Sequence, residues 1–181
     1  MTDSELWTLA AADGELMLHT GVTGSAARMG HRLTIAMTSW QATVRWEGDA
    51  PVEVQLIVDI GSLAVVRGEG GMMPLSGPEK TVVRANALKS LRAGKYPQAR
   101  FRATEIERHA NSFRLTGTLE LLGRSREQIV EVRVEDAGET WRISGAADVR
   151  HTDYGIKQFS MLMGAMKVAD EVHVVFTAAH E

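Results

Sequence analysis

FRLTGTLELLGRSREQIVEVRV, residues Phe113 to Val134, alternates twice with a basic turn between. Phe113, Leu115, Gly117, Leu119 and Leu121 alternate with Arg114, Thr116, Thr118 and Glu120. After the turn, Val130, Val132 and Val134 alternate with Glu131, Arg133 and Glu135. A period of two places successive side chains on opposite faces of a strand. Each run is therefore a strand with one apolar and one wetted face, the pattern of an antiparallel sheet solvated on one side.

The same reading extends in both directions. Trp40, Ala42, Val44 and Trp46 alternate with Gln41, Thr43 and Arg45, and Val52, Val54, Leu56, Val58 and Ile60 form the next apolar set. Trp141, Ile143, Gly145 and Ala147 form another, and Val172, Val174 and Phe176 close the series. Short turn-forming links such as Glu47–Pro51, His109–Asn111 and Asp136–Gly138 join neighbours at hairpin distance. Short links give a meander. About eight such strands close an up-and-down, lipocalin-like β-barrel just wide enough for side chains or one small ligand.

One segment changes period. Ser76-Gly77-Pro78-Glu79 has the form of a capping box with proline in the first turn. Val82, Val83, Ala87, Leu88 and Leu91 follow at helical spacing, with Gly94 as a stop. The spacing predicts one amphipathic helix over about 77–92, lying across the barrel or plugging one end. The preceding Gly68–Pro74 is a glycine-rich loop without the Lys-Ser/Thr of a phosphate-binding loop.

Composition excludes several classes. The chain has 181 residues, a formal charge of −3 and no cysteine. That length suits one domain, residues 1–181, able to bury roughly 70% of its unfolded surface without a staple. The absence of cysteine removes disulfides, thiolate catalysis and cysteine metal sites. The six histidines show no HxH or HExxH spacing, so no metal site and no cofactor is expected. The mild acidity gives no basic face for nucleic acid. An acidic start without a basic-then-apolar leader predicts a cytoplasmic protein, and no run approaches the ~20 apolar residues of a membrane span. Stable membrane insertion is therefore not expected. Nine methionines suit irregular cores and adaptable pockets.

The order of elements resembles the YceI-like family, which is lipocalin-like and linked to polyisoprenoid binding. The residues carrying the resemblance run along nearly the whole chain: Trp7; Gly24 to His31 ahead of Trp40; Val58-Asp59-Ile60-Gly61-Ser62-Leu63; and Lys95-Tyr96-Pro97-Gln98-Ala99-Arg100-Phe101 after the helix. Leu115 to Gly123 and Asp153-Tyr154-Gly155-Ile156 complete the set. The resemblance implies binding or carriage of an isoprenoid- or lipid-like ligand in the lumen, and a homodimer. Its members commonly carry a secretory leader, whereas this acidic N-terminus predicts none.

The candidate ligand-binding residues are His31, Arg28, Leu33, Ile35, Met37, Trp40, Phe101, Phe113, Phe159, Met161 and Met163. His31 shares parity with Leu33, Ile35 and Met37. On a lumen-facing strand it would sit near one mouth with Arg28 and Arg32, where an imidazole beside guanidinium groups meets an anionic headgroup. The bland reading is a histidine holding a loop backbone. Trp40, Trp46 and Trp141 read as lumen lining or as plain core. Phe159 to Met166, FSMLMGAM, reads as a lid or as a strand tucked under the helix. Burying a fifteen-carbon chain would supply on the order of 12 kcal/mol gross, before association costs.

Two other classes stay open. A packed barrel would act as a protein-interaction or stress-response module without ligand. A lumen-based isomerase or hydrolase would need two converging titratable groups. Asp59 and Asp153 are possible buried acids, but their spacing shows no pairing, and no catalytic residue is expected.

Overall fold

The computed structural model describes residues 3–181. Fourteen strand segments and one α-helix follow in chain order. They begin with β1 (Ser4–Ala10), β2 (Gly14–His19), β3 (Val22–Thr23), β4 (His31–Met37), β5 (Trp40–Glu47), β6 (Ala50–Asp59) and β7 (Leu63–Gly70). Helix α1 (Gly77–Ser90) comes next, then β8 (Gln98–His109), β9 (Ser112–Leu121), β10 (Arg124–Asp136) and β11 (Trp141–Arg150). The short β12 (Ser160–Met161) and β13 (Met166–Val168) precede β14 (Glu171–His180).

Eleven segments form one antiparallel sheet in the order β1-β5-β6-β8-β9-β10-β11-β14-β2-β4-β7. The fold is an all-β, lipocalin-like barrel. Its segments outnumber the eight strands expected from alternation for a local reason. β1 and β2, β4 and β5, and β6 and β7 are consecutive halves of three long strands, each broken by a kink of two or three residues. Alternation reports faces and is blind to kinks. Joined across them, the segments make eight long strands.

The N-terminal strand closes the ring. Its first half pairs with β5, Ser4 opposite Glu47 and Ala10 opposite Gln41. Its second half lies between β14, with Ala178 opposite Gly14, and β4, with Leu16 opposite Met37. Gly14 permits this approach: a Cβ there would sit 2.0 Å from the Thr177 carbonyl oxygen.

Turn chemistry fixes the register of the later hairpins. Leu122 and Gly123 both have positive φ, 52° and 70°, the two-residue geometry that matches strand twist. Arg124 then lies opposite Leu121. At β5–β6 the sequence reading is corrected: Pro51 is not in the turn but inside β6, opposite Trp46, where the register shifts by one residue. A bulge is one of the few places a sheet accepts a residue without an N–H.

The core is the inward face of the barrel. Trp7, Leu9, Leu16, Ile35, Leu63, Ala103 and Leu115 are among its buried members. Trp141 is the exception among the tryptophans expected on apolar faces. It is 40% exposed and rests on Trp7, ring centroids 6.0 Å apart, at the rim. Helix α1 begins at the expected cap: the Glu79 N–H donates to Ser76 Oγ and the Ser76 N–H donates to Glu79 Oε1. It ends two residues before the expected limit, and no residue in it is fully buried. Ala87, Leu88 and Leu91 pack on the core while Val82 faces solvent. Arg84 ties it down by donating to the carbonyls of Leu63 and Gly61.

The segment after β11 forms a small separate sheet with the early strand β3, in the order β12-β13-β3. Phe159 to Met166 therefore does not tuck under the helix. Its turn projects outward, with Met161, Leu162 and Met163 exposed.

Candidate ligand-binding cavity

The barrel encloses a cavity of about 350 Å³. Inward-facing positions of nearly every long strand contribute to its wall, as period two requires. β4 supplies Leu33, Ile35 and Met37; β5 supplies Ala42, Val44 and Trp46; β8 and β9 supply Ala99, Phe101, Phe113, Leu115 and Leu119. β10, β11 and β14 add residues such as Val130, Val132, Ile143, Ala147, Val174 and Phe176. The C-terminal turn of α1 closes one side with Ala87, Ser90 and Leu91.

Polar groups in the wall are few: Thr20, Gln55, Ser90, Gln128 and His151. No carboxylate, lysine or arginine takes part among the described residues. Several of the polar groups are already committed. Thr20 Oγ1 accepts from the Leu33 N–H, Gln55 donates to Glu53, and Gln128 donates to the Asp148 carbonyl. His151 Nδ1 lies 2.7 Å from the Asp170 carbonyl oxygen. A carbonyl only accepts, so Nδ1 carries the proton, and in the neutral ring Nε2 is left as an acceptor.

The opposite end is floored by aromatics. Trp7 and Trp46 pack with centroids 4.8 Å apart, Phe113 meets Trp46 edge-on at 6.2 Å, and His180 stacks on Trp7 at 4.4 Å. The Trp7 indole N–H donates to Glu5. The Trp46 indole N–H is buried with no partner among the described residues. The hydroxyl of Tyr154, two residues before the cavity-lining Ile156, is also buried with no partner among the described residues. Burial, above all, raises the pKa of this phenol, and the neighbouring Asp153 adds to the effect.

Leu33, Ile35, Met37, Phe101 and Phe113 of the sequence candidates thus share one wall. Trp40 is buried but off it, edge-on to Phe176 at 5.0 Å. His31 lies outside the cavity, its Nε2 2.8 Å from the Met73 carbonyl oxygen, and there it holds the 71–75 loop. Arg28 lies in a single exposed turn before β4. Phe159, Met161 and Met163 lie on the outer surface. Asp59 and Asp153 are exposed, and Asp59 accepts from the Ser39 hydroxyl.

Sequence reasoning missed Leu16, Leu18, Trp7, His151, Val174 and Phe176 as wall residues. The Val172–Phe176 alternation marks a strand, but only ring closure shows which faces converge. Leu16 and Leu18 sit in a run too short to stand out, with Met17 between them.

The family model for the YceI-like domain matches residues 7–179. No curated protein matches the sequence. Among solved structures, the chain is similar to BcnA of Burkholderia cenocepacia, with a TM-score of 0.71 and 17% identity over 100% of both chains. It is also similar to the YceI protein of Campylobacter jejuni, with a TM-score of 0.62 and 12% identity over 81% of this chain and 82% of that one. At these identities the likeness is one of fold.

Proposed function

Because this chain belongs to the YceI-like domain family, we propose that it binds and carries an elongated apolar molecule, isoprenoid- or lipid-like, inside its barrel. The observation that carries the reading is the cavity: about 350 Å³, walled mostly by aliphatic and aromatic side chains, with no carboxylate, lysine or arginine among the described residues. That volume falls within the ~300–1,000 Å³ of small-molecule sites. A charged or strongly hydrated ligand would lose its water there without compensation. An apolar chain gains roughly 0.8 kcal/mol for each buried CH₂, against several kcal/mol of association cost. Selection is then by length and shape.

Carriage is favoured over catalysis by the same wall. An isomerase or hydrolase site needs a base or acid together with a nucleophile or an oxyanion donor converging on one point. His151 is the one ionisable side chain facing the space among the described residues.

The test has two parts. Organic extracts of the purified protein are examined by mass spectrometry for a co-purifying lipid. The delipidated protein is then titrated with cis-parinaric acid, and the probe is competed off with farnesol and geranylgeraniol. Saturable one-to-one binding with competition is expected. A barrel that yields no lipid and binds neither the probe nor the prenols would sink the reading.

A further inference from the structure

The structure carries a second feature, on its outer surface. The turn Met161–Gly164 of the small sheet holds Met161, Leu162 and Met163 in solvent, and Met163 is fully exposed. Leu162 and Met163 both adopt left-handed backbone, φ 53° and 55°, which residues with side chains rarely do. Strain of this kind persists where surrounding structure imposes it, and such sites are often functional. Here it aims apolar side chains away from the core.

The neighbouring loops do the same. Met29 is exposed in the turn before β4. A Cβ on Gly30, the next residue, would meet Met166 of β13, and one on Gly70 would meet the Gly30 carbonyl. The 71–75 loop therefore adjoins that turn, and its Met72 is 90% exposed. His31 pins the loop through the Met73 carbonyl. Exposed apolar side chains gathered on adjoining loops mark an interaction surface.

Charge identifies the partner. Residues 16–46 and 154–169, which carry the turn before β4 and the small sheet, contain no Asp or Glu. They do contain Arg28, Arg32, Lys157 and Lys167, all exposed. Arg45, at the far end of the first of these segments, pairs with Glu47, and Arg67, Arg102 and Arg114 elsewhere on the barrel pair with Glu69, Glu53 and Glu131. The four cations of the tip form no ion pair among the described residues. Of the flanking acids, Glu69 lies opposite Arg32 in the β4–β7 ladder but binds Arg67, Asp170 accepts from Thr152, and Glu79 caps α1.

From these residues we infer that the tip docks on an anionic lipid bilayer, its methionines in the headgroup boundary and its cations on the lipid phosphates. The inference deepens the carrier reading and rests on it, because the docked end is a cavity end. Val168 of β13 walls the cavity, and its N–H donates to the Phe159 carbonyl of the exposed segment. A ligand leaving there would pass from one apolar phase to another.

The experiment is co-flotation with vesicles of phosphatidylcholine alone or with 30 mol% phosphatidylglycerol, alongside cis-parinaric acid titration of the same samples. Wild-type protein is expected on the anionic vesicles, weakly on the neutral ones, and released by 0.5 M NaCl. K157Q/K167Q is expected to lower partitioning about 30-fold, since each cation near an anionic surface is worth about fivefold. Met163→Ser, at a side chain with no buried surface, is expected to weaken partitioning while the melting temperature holds. Equal flotation of wild type and variants, or none by any of them, overturns docking. So does a wild-type dimer in size exclusion that Met163→Ser dissolves, because a second copy is then the occupant. Loss of parinaric acid binding with flotation intact counts against the cavity reading alone.

Discussion

The ring of Phe101 lies across Gly117 of the neighbouring strand. A Cβ built on Gly117 would come within 2.7 Å of the ring's Cε2 and Cζ, and within 2.5 Å of the Arg102 carbonyl oxygen. A glycine in a strand interior weakens the strand, but here an aromatic ring covers it and the ring itself walls the cavity. Gly117→Val is therefore expected to cost about 1–3 kcal/mol through overpacking. For a chain this long that is a fall of roughly 2–12 °C in melting temperature. Phe101→Leu in the same chain should recover part of the loss, because the two sites are in contact. Urea melts of the two single variants and the double variant check this. Strict additivity would show that the ring does not depend on the missing side chain.

Filling the cavity separates an empty space from a packed core. Ala147 lines the wall midway along β11 and is only partly buried. Ala147→Phe is expected to weaken cis-parinaric acid binding at least tenfold while the unfolding free energy moves by less than about 1 kcal/mol, since the new ring enters free volume. If the core were already packed, the same change would cost more than that and leave ligand binding without a reference to lose. Fluorescence titration and a urea melt on one preparation give both numbers.

The barrel was legible because its signal is repetitive: six runs of period two each place an apolar face, and all six faces turn inward. The candidate wall was legible where a residue sat inside such a run, as with Phe113, or shared parity with apolar neighbours, as Leu33 and Ile35 do with Met37. His31 shows the limit. Its parity matches Leu33, but it stands at the first residue of β4, past the end of the cavity, and parity carries no information on depth. The methionines of residues 161–163 fail differently. Hydropathy expects them inside, whereas a strained turn holds them out. Kinks and ring closure join residues far apart in sequence, so Leu16 and Phe176, which lie opposite each other, share the wall through pairing alone.

Helix α1 depends on its cap more than on its packing, because no residue in it is fully buried. Ser76→Ala removes the acceptor for the Glu79 N–H and is expected to cost about 1 kcal/mol. The Glu79 carboxyl is held below the usual carboxylate range, first by its hydrogen bonds with Ser76 and then by His31. A depressed carboxyl contributes above its ordinary pKa and loses that contribution as pH falls through the lowered value. The helix end should therefore loosen on acidification near and below pH 4.5. Amide hydrogen exchange over residues 77–84 follows it. Unchanged protection in the alanine variant would remove the cap from the account.

Tyr154 gives a stability test at the other extreme of pH. Its hydroxyl is buried with no partner among the described residues, so it carries a desolvation cost without a hydrogen bond. Tyr154→Phe keeps the ring and deletes that group, and near neutrality it is expected to leave stability unchanged or raise it by up to about 1 kcal/mol. Burial lifts the phenol's pKa above its ordinary 10. An acid with a raised folded pKa binds its proton more tightly in the native state. Wild-type stability is therefore intact below pH 10 and falls as pH climbs from there through the raised value. The phenylalanine variant lacks this loss, so the difference between the two proteins should widen above pH 10 in its favour. Urea melts at pH 8 and pH 10.5 measure it, and a phenylalanine variant that is less stable at both values would mean the hydroxyl has a partner after all.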